Sequence, residues 1–413
     1  MDRPIMLRNV RQKKTTLMHM VIVLLAVALV FPAVSYAKTQ LSIMTHTNAT
    51  FNKWIEEKLE AYCQLNPDVE FHYTIAGNAE MDEKLMVMLA GGAAPDIVNI
   101  YYPSNQHLML NGYFDVAPPF VYEELKKNYI ESAWRDMVIN GTVYGYPMEI
   151  TVIAPVIKED VYDANGVAAP ATFDDLLVAQ QKLTQLNSDG TYKQLGVNFR
   201  SGANSWIMHR WTPLLWGYGA DLLDEKGYPA FNNPQGIYAT EVLKELSPPG
   251  ALDFLTGNTA TITQGAHFRQ SALLADPSLR LKVLPALRGV DGKQVAPIYH
   301  WGTVVSKDSP NKEAAWEFLR WLHSPEQIDT LPVVTSSAPT TYSSIRHFQN
   351  DAWMMTFIAN FDHGRLYPSV PNWAAAEKIL ITTVHQRVFR GNFSVPEVLR
   401  NAEVEVKAAL GLL

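Results

Sequence analysis

The chain has 413 residues, 47% of them hydrophobic and 18% charged, with 10 Trp, 18 Tyr and 16 Phe, which excludes disorder and fibrous repeats and provides core for about two domains. The formal charge is −7 and no basic stripe lies beyond the extreme N-terminus, so nucleic acid is not expected as a partner.

At the start of the chain, Arg3, Arg8, Arg11, Lys13 and Lys14 stand against Asp2 alone, and Val21 to Phe31 is an unbroken apolar run. Ser35 and Ala37 occupy the −3 and −1 positions of a small-residue cleavage site. Residues 1–37 therefore read as a cleaved secretory signal and the mature protein as periplasmic. The apolar run is shorter than the roughly 20 residues that span a bilayer. Cleavage removes five basic residues and one acidic one, leaving a more acidic chain. Cys63 is the single cysteine, which forbids an intramolecular disulfide, and its place on a helical stretch predicts a buried thiol.

LSIMT (41–45) reads as a strand, and Phe51, Trp54, Ile55, Leu59 and Tyr62 recur at helical spacing before the Asn66-Pro67 breaker. VEFHYTI (69–75) alternates as a strand does. A helix over about 80–90 ends at Gly91-Gly92, and DIVNI (96–100) is a third strand. This β-α-β-α-β order predicts a parallel sheet, with ligands gathering beyond the carboxyl ends of its strands. Thr45, His46 and Asn48 follow the first strand, and Tyr101 and Tyr102 follow the third.

GTVYGYPMEITVIAPVI (141–157) reads as two strand-like pieces around Pro147. Thr172 and Asp175 fit a capping box opening a helix. Residues 198–219, with Trp206, Trp211, Trp216 and Tyr218, read as loop-rich, and a helix is expected over about 234–246. HWGTVVSKD (300–308) is a strand leading into NKEAAWEFLRWLHS, whose Ala315, Phe318, Leu319 and Leu322 form one apolar face. The remainder reads as mostly helical, with a break at 364–371.

The histidines show no metal-binding spacing, and the phosphate-loop, dinucleotide and nucleophile-elbow motifs are missing, so neither metal nor cofactor is expected. What remains is a surplus of aromatic residues beside polar ones. Flat rings cover the C–H faces of a sugar while carboxylates, amides and Arg fix its hydroxyls. Tyr299, His300 and Trp301, at the lead-in to a strand, stand out, and an uncharged carbohydrate is the expected ligand.

The segments FNKWIEEKLEAYCQLNPDVEFHYTI, EKLMVMLAGGAAPDIVNI, GTVYGYPMEI, ATFDDLLVAQQKLT, LLWGYGADLLDEKGYPAFNNPQG and WGTVVSKDSPNKEAAWEFLRWLHSPEQ, in this order, resemble the bacterial extracellular solute-binding proteins of family 1. These are the maltose-binding-like receptors of ABC sugar importers. The resemblance implies an α/β, two-lobed periplasmic-binding-protein fold with a three-crossover hinge and an interlobe cleft. Residues 38–148 and 305–345 would form one lobe, and residues 149–304 and 346–413 the other. It implies ligand contacts at His46 and Asn48, Tyr101 and Tyr102, Glu149, Trp206 or Trp211, the His300-Trp301 pair and Arg365. It implies a monomeric binding protein, not an enzyme, that hands a sugar to the transmembrane subunits of an ABC permease. Thr45-His46 stands where relatives often carry Trp, which implies a changed stacking surface, and the stretch between Gly250 and Gly265 looks shortened. A periplasmic carbohydrate-active enzyme using Glu149 with a second carboxylate, or a sensor partner, are the alternatives.

Overall fold

The computed structural model describes residues 38–413 except 78, 79, 256 and 392, so the expected signal at 1–37 lies outside the described residues. Strands β1 (Thr39–His46), β2 (Val69–Ala76) and β3 (Ile97–Tyr101) are parallel, with β1 in the middle. Helices Ala49–Leu65 and Met81–Ala90 make the crossovers. The first begins where the Asn48 side chain accepts the Phe51 N–H at 3.2 Å, and its stripe of Phe51, Trp54, Ile55, Leu59 and Tyr62 is buried. It stops just before Asn66-Pro67, because proline disfavours helical backbone in the residue ahead of it. Cys63 is only half-buried, one position off the buried stripe, which corrects the expectation of a buried thiol.

A short hairpin, β4 (Val138–Ile139) and β5 (Thr142–Val143), turns on Asn140 and Gly141. Both have positive φ, 51° and 77°, the conformation that makes Asn-Gly the favoured two-residue turn. The chain then enters β6 (Gly145–Val152) and, after Ile153 alone, β7 (Ala154–Lys158). The break falls at Ile153 and not at Pro147. Pro147 sits inside β6 at a bulge, where Trp301 opposes Glu149 but Gly302 opposes Pro147, so Met148 is the extra residue.

β8 (Gln185–Leu186), β9 (Tyr192–Val197), β10 (Thr259–Gln264) and β11 (Leu281–Val283) join β7 in a second sheet of order β11-β7-β10-β9-β8. The stretch after Gly250 supplies β10 to this sheet. β12 (Ala296–Val305) returns to the first sheet, antiparallel to β3 on one side and β6 on the other, and β13 (Gly364–Arg365) pairs with its start. Thr172 and Asp175 form the expected capping box at helix Phe173–Leu183.

Residues 198–219 do not form a loop. Trp206–Gly217 is a helix, buried on every side from Ile207 onward. Its His209, Arg210 and Thr212 are buried with its apolar face, so no exposed polar stripe marks it as a helix, and Pro213 disguises it further. Each sheet has its own core. Leu41, Trp54, Ile97, Tyr146, Phe318 and Leu322 pack on the first, and Trp211, Leu215, Phe231, Trp373, Leu380 and Leu399 on the second.

Candidate functional site

His46 and Tyr101 are the last residues of parallel strands β1 and β3, beside the β6–β12 pair that leads to the second sheet. Alternation along β12 sends Tyr299 and Trp301 to one face and His300 to the other. Gly302 lets this region close: a Cβ there would lie 2.3 Å from Met137 Cε and 2.8 Å from Tyr146 O.

The rings form a continuous row. The His46 imidazole stacks on Trp301 at 3.9 Å and 19°, Trp301 meets Tyr101 at 5.2 Å, and Tyr101 meets Tyr299 edge-on at 5.4 Å. Tyr299 stacks on His209 of helix Trp206–Gly217 at 4.6 Å and 13°. Trp206 stands perpendicular to His209 at 5.5 Å. His209 Nδ1 is 2.5 Å from the Tyr367 hydroxyl, and its Nε2 is 3.4 Å from the Tyr101 hydroxyl. This last contact ties β3 of the first sheet to a helix packed on the second.

Two buried titratable groups face one another within the row. His46 Nε2 lies 3.7 Å from Glu149 Oε2. Asn99 Nδ2 donates to the Gly302 carbonyl at 3.3 Å, so its Oδ1 is the acceptor, and His46 Nδ1–H donates to it at 2.7 Å. That leaves a lone pair on Nε2 towards Glu149. Burial draws His46 down to about 4, against a smaller opposing pull from Asn99. Burial also pushes Glu149 up to about 7. His209 is held to about 3 by burial and by neighbouring Arg210. The site thus offers neutral imidazoles, a carboxyl poised near neutrality and several ring edges.

The structure brings together His46, Tyr101, Glu149, Tyr299 and Trp301, with Trp206 joining through His209. Arg365 reaches the far end of the row. It pairs with Asp221 and lies over Trp216 at 4.7 Å, and Trp216 in turn meets Tyr367 at 6.3 Å. Four expected contacts fall elsewhere. Asn48 is exposed and spends its side chain capping a helix. Tyr102 is buried in the first-sheet core with Leu108 and Phe114. Trp211 is fully buried, its indole N–H donating to Thr240 at 2.9 Å. His300 is turned away by strand alternation and meets the Ser132 carbonyl at 2.8 Å. His209 and Tyr367 are additions that the sequence does not announce. The i, i+3 spacing of Trp206 and His209 signals the first only once the helix is recognised.

Among the described residues no group of His, Cys, Asp and Glu could hold a metal ion, and no helix is long and apolar enough to cross a membrane.

A two-sheet α/β molecule with rings converging between its halves defines a solute-binding protein. The sequence profile of the bacterial extracellular solute-binding protein family matches residues 46–329, and the chain belongs to that family. A Brucella abortus (strain 2308) protein described as a binding protein is 21% identical over 388 residues, 88% of this chain and 91% of its own. A Sinorhizobium fredii protein named as an amino-acid ABC transporter periplasmic-binding protein is 24% identical over 293 residues, 65% of each chain. The ABC substrate-binding protein Lmo0181 of Listeria monocytogenes, solved with cycloalternan, aligns with a TM-score of 0.77 at 18% identity. That alignment covers 91% of this chain and 100% of that one. The fold is the two-lobed fold of periplasmic binding proteins.

Proposed function

We propose that this protein is the periplasmic receptor of an ABC importer, capturing an uncharged sugar between its lobes and presenting it to the permease. The observation that carries the reading is the ring row from His46 through Trp301, Tyr101 and Tyr299 to His209, which joins groups from both halves around the buried Glu149 carboxyl. Rings with hydroxyl, imidazole and carboxyl groups between them suit a polyhydroxylated ring, and the Listeria neighbour solved with a cyclic saccharide supports that class. Residues 38–148 with 305–345, and residues 149–304 with 346–413, are the lobes proposed to close around the ligand by hinge motion, with β6 and β12, which join the first sheet across these limits, as crossovers between them.

An amino acid is the competing ligand, because the Sinorhizobium relative carries that name. Calorimetric titration with neutral mono- and oligosaccharides beside a set of amino acids tests the choice. Saturable heat from a saccharide is expected, and heat from amino acids alone would overturn the sugar reading. Chromatography of the recovered saccharide separates receptor from enzyme, since a receptor returns it uncleaved.

A further inference from the structure

Tyr299 and Trp301, which share a face of β12, are both covered by imidazoles of the protein itself, but from different sides of the molecule. His46 covers Trp301 and belongs to the same sheet, since it ends β1 and its Nδ1 bonds Asn99 of β3. His209 covers Tyr299 and comes from elsewhere. Its helix neighbours Ile207, Met208 and Trp211 lie in the core of the second sheet, whereas Tyr299 and Tyr101 stand on strands of the first. The His209 and Tyr299 planes are 13° from parallel with centroids 4.6 Å apart. At the rim of this stack Tyr367, from the second-sheet core, meets Nδ1 at 2.5 Å, and Tyr101 meets Nε2 from the opposite half at 3.4 Å. A neutral imidazole has one donor and one acceptor nitrogen, and each hydroxyl can play either part, so both contacts can be made at once.

A flat face on a tyrosine ring, with polar edges on hydroxyl groups, is also how a sugar ring would be held there. The two cannot share the place. A ligand ring between two aromatic rings needs their planes about 7 Å apart, twice the roughly 3.5 Å of carbon–carbon contact. Centroids at 4.6 Å leave no such layer. Tyr299 is buried, and Tyr101 approaches it edge-on at 5.4 Å, so no open face of that ring remains. On the reading that the row receives a saccharide, we propose that His209 is its internal competitor. In the ligand-free protein His209 fills the stacking place on Tyr299, and a saccharide binds by displacing it as the two halves part. His209 thus sets affinity by opposing it, while His46, tied into the first sheet, stays in place.

The ring cover is read in the parent protein by NMR. The imidazole protons of His209, assigned through its own backbone resonances, lie over the Tyr299 ring and should resonate upfield of those of exposed histidines in the ligand-free state. Saturation with a bound saccharide should move them back downfield. Maltose, maltotetraose, mannotriose and cycloalternan are the probes, each titrated separately by calorimetry. His209→Ala should bind at least one of them about tenfold more tightly than the parent, the scale of one lost aromatic pair. His209→Phe, which returns a ring to Tyr299, should lose that gain. His209 protons at exposed-histidine positions in the ligand-free parent, or a folded His209→Ala variant that binds no tighter than the parent, would overturn the competitor. Upfield His209 protons with heat from none of the probes, in parent or variant, would instead overturn the sugar reading.

Discussion

The imidazole of His46 lies flat against the indole of Trp301, with centroids 3.9 Å apart. One face of Trp301 is therefore covered by the protein's own ring, and Tyr101 approaches it from 5.2 Å. The indole is half-buried and serves both the packing of the first sheet and the row between the lobes.

Trp301→Ala should consequently show two effects. Ligand affinity should fall by roughly 1 to 3 kcal/mol, and ligand-free stability by about 1 kcal/mol or more as the ring pairs are lost. Calorimetric titration beside denaturant melts of the free protein measures both. Unchanged affinity in a destabilised variant would remove Trp301 from the site.

His46 and Glu149 should compensate one another in pH dependence. His46 is held at about 4 when folded, so the unfolded chain, with the ordinary value of 6.5, takes that proton first and stability falls as pH drops from 6.5 towards 4. Glu149 is held at about 7 against 4.5, so the folded chain takes that proton first and stability rises as pH drops from 7 towards 4.5. In the parent the opposing slopes largely cancel. Glu149→Gln should expose the first slope and His46→Gln the second, each up to about 3 kcal/mol. Urea melts between pH 4 and 8 would detect them, and identical slopes in both variants would contradict the pairing.

Tyr101→Phe removes the 3.4 Å contact to His209 while keeping both rings in place. Folding stability should change by less than about 1 kcal/mol. The ligand-free radius of gyration from small-angle scattering should increase if this contact holds the lobes together. No change in that radius would show that the contact is incidental.

Trp211→Ala should behave as a core deletion, costing about 3 to 5 kcal/mol of stability, because the indole is fully buried and hydrogen-bonded to Thr240. At a temperature where the variant stays folded, its ligand affinity should equal the parent's. A selective loss of affinity would return Trp211 to the site.

Mass spectrometry of the exported protein should give a first residue of Lys38. A membrane-retained form carrying residues 1–37 would refute cleavage after Ala37.

The parallel start of the chain is legible because its signals are local. Val69, Phe71 and Tyr73 alternate, Phe51 to Tyr62 keep a helical period, and the ligand end of such a sheet follows from topology. His46 and Tyr101 can be placed that way. The helix at 206–217 is harder to read, since Ile207, Met208, Trp211, Leu214 and Leu215 share one face but His209, Arg210 and Thr212 on the rest are buried as well, and Pro213 interrupts the pattern. Trp211 and Trp206 are five residues apart in that helix and chemically identical, and only burial tells them apart. His300 misleads for a different reason. Its neighbours Tyr299 and Trp301 belong to the ring row, and in a strand that very adjacency puts it on the opposite face.

β12 lies between β3 and β6 in the first sheet, yet about 140 residues of chain separate it from the end of β6. A chain emerging N-terminus first from a ribosome or a translocon cannot complete that sheet until Val305 is available. The early strands must wait with their hydrogen-bonding edges open, and pairing over so long a loop is entropically slow. The delay makes the unfinished N-terminal third the stage most exposed to aggregation during synthesis.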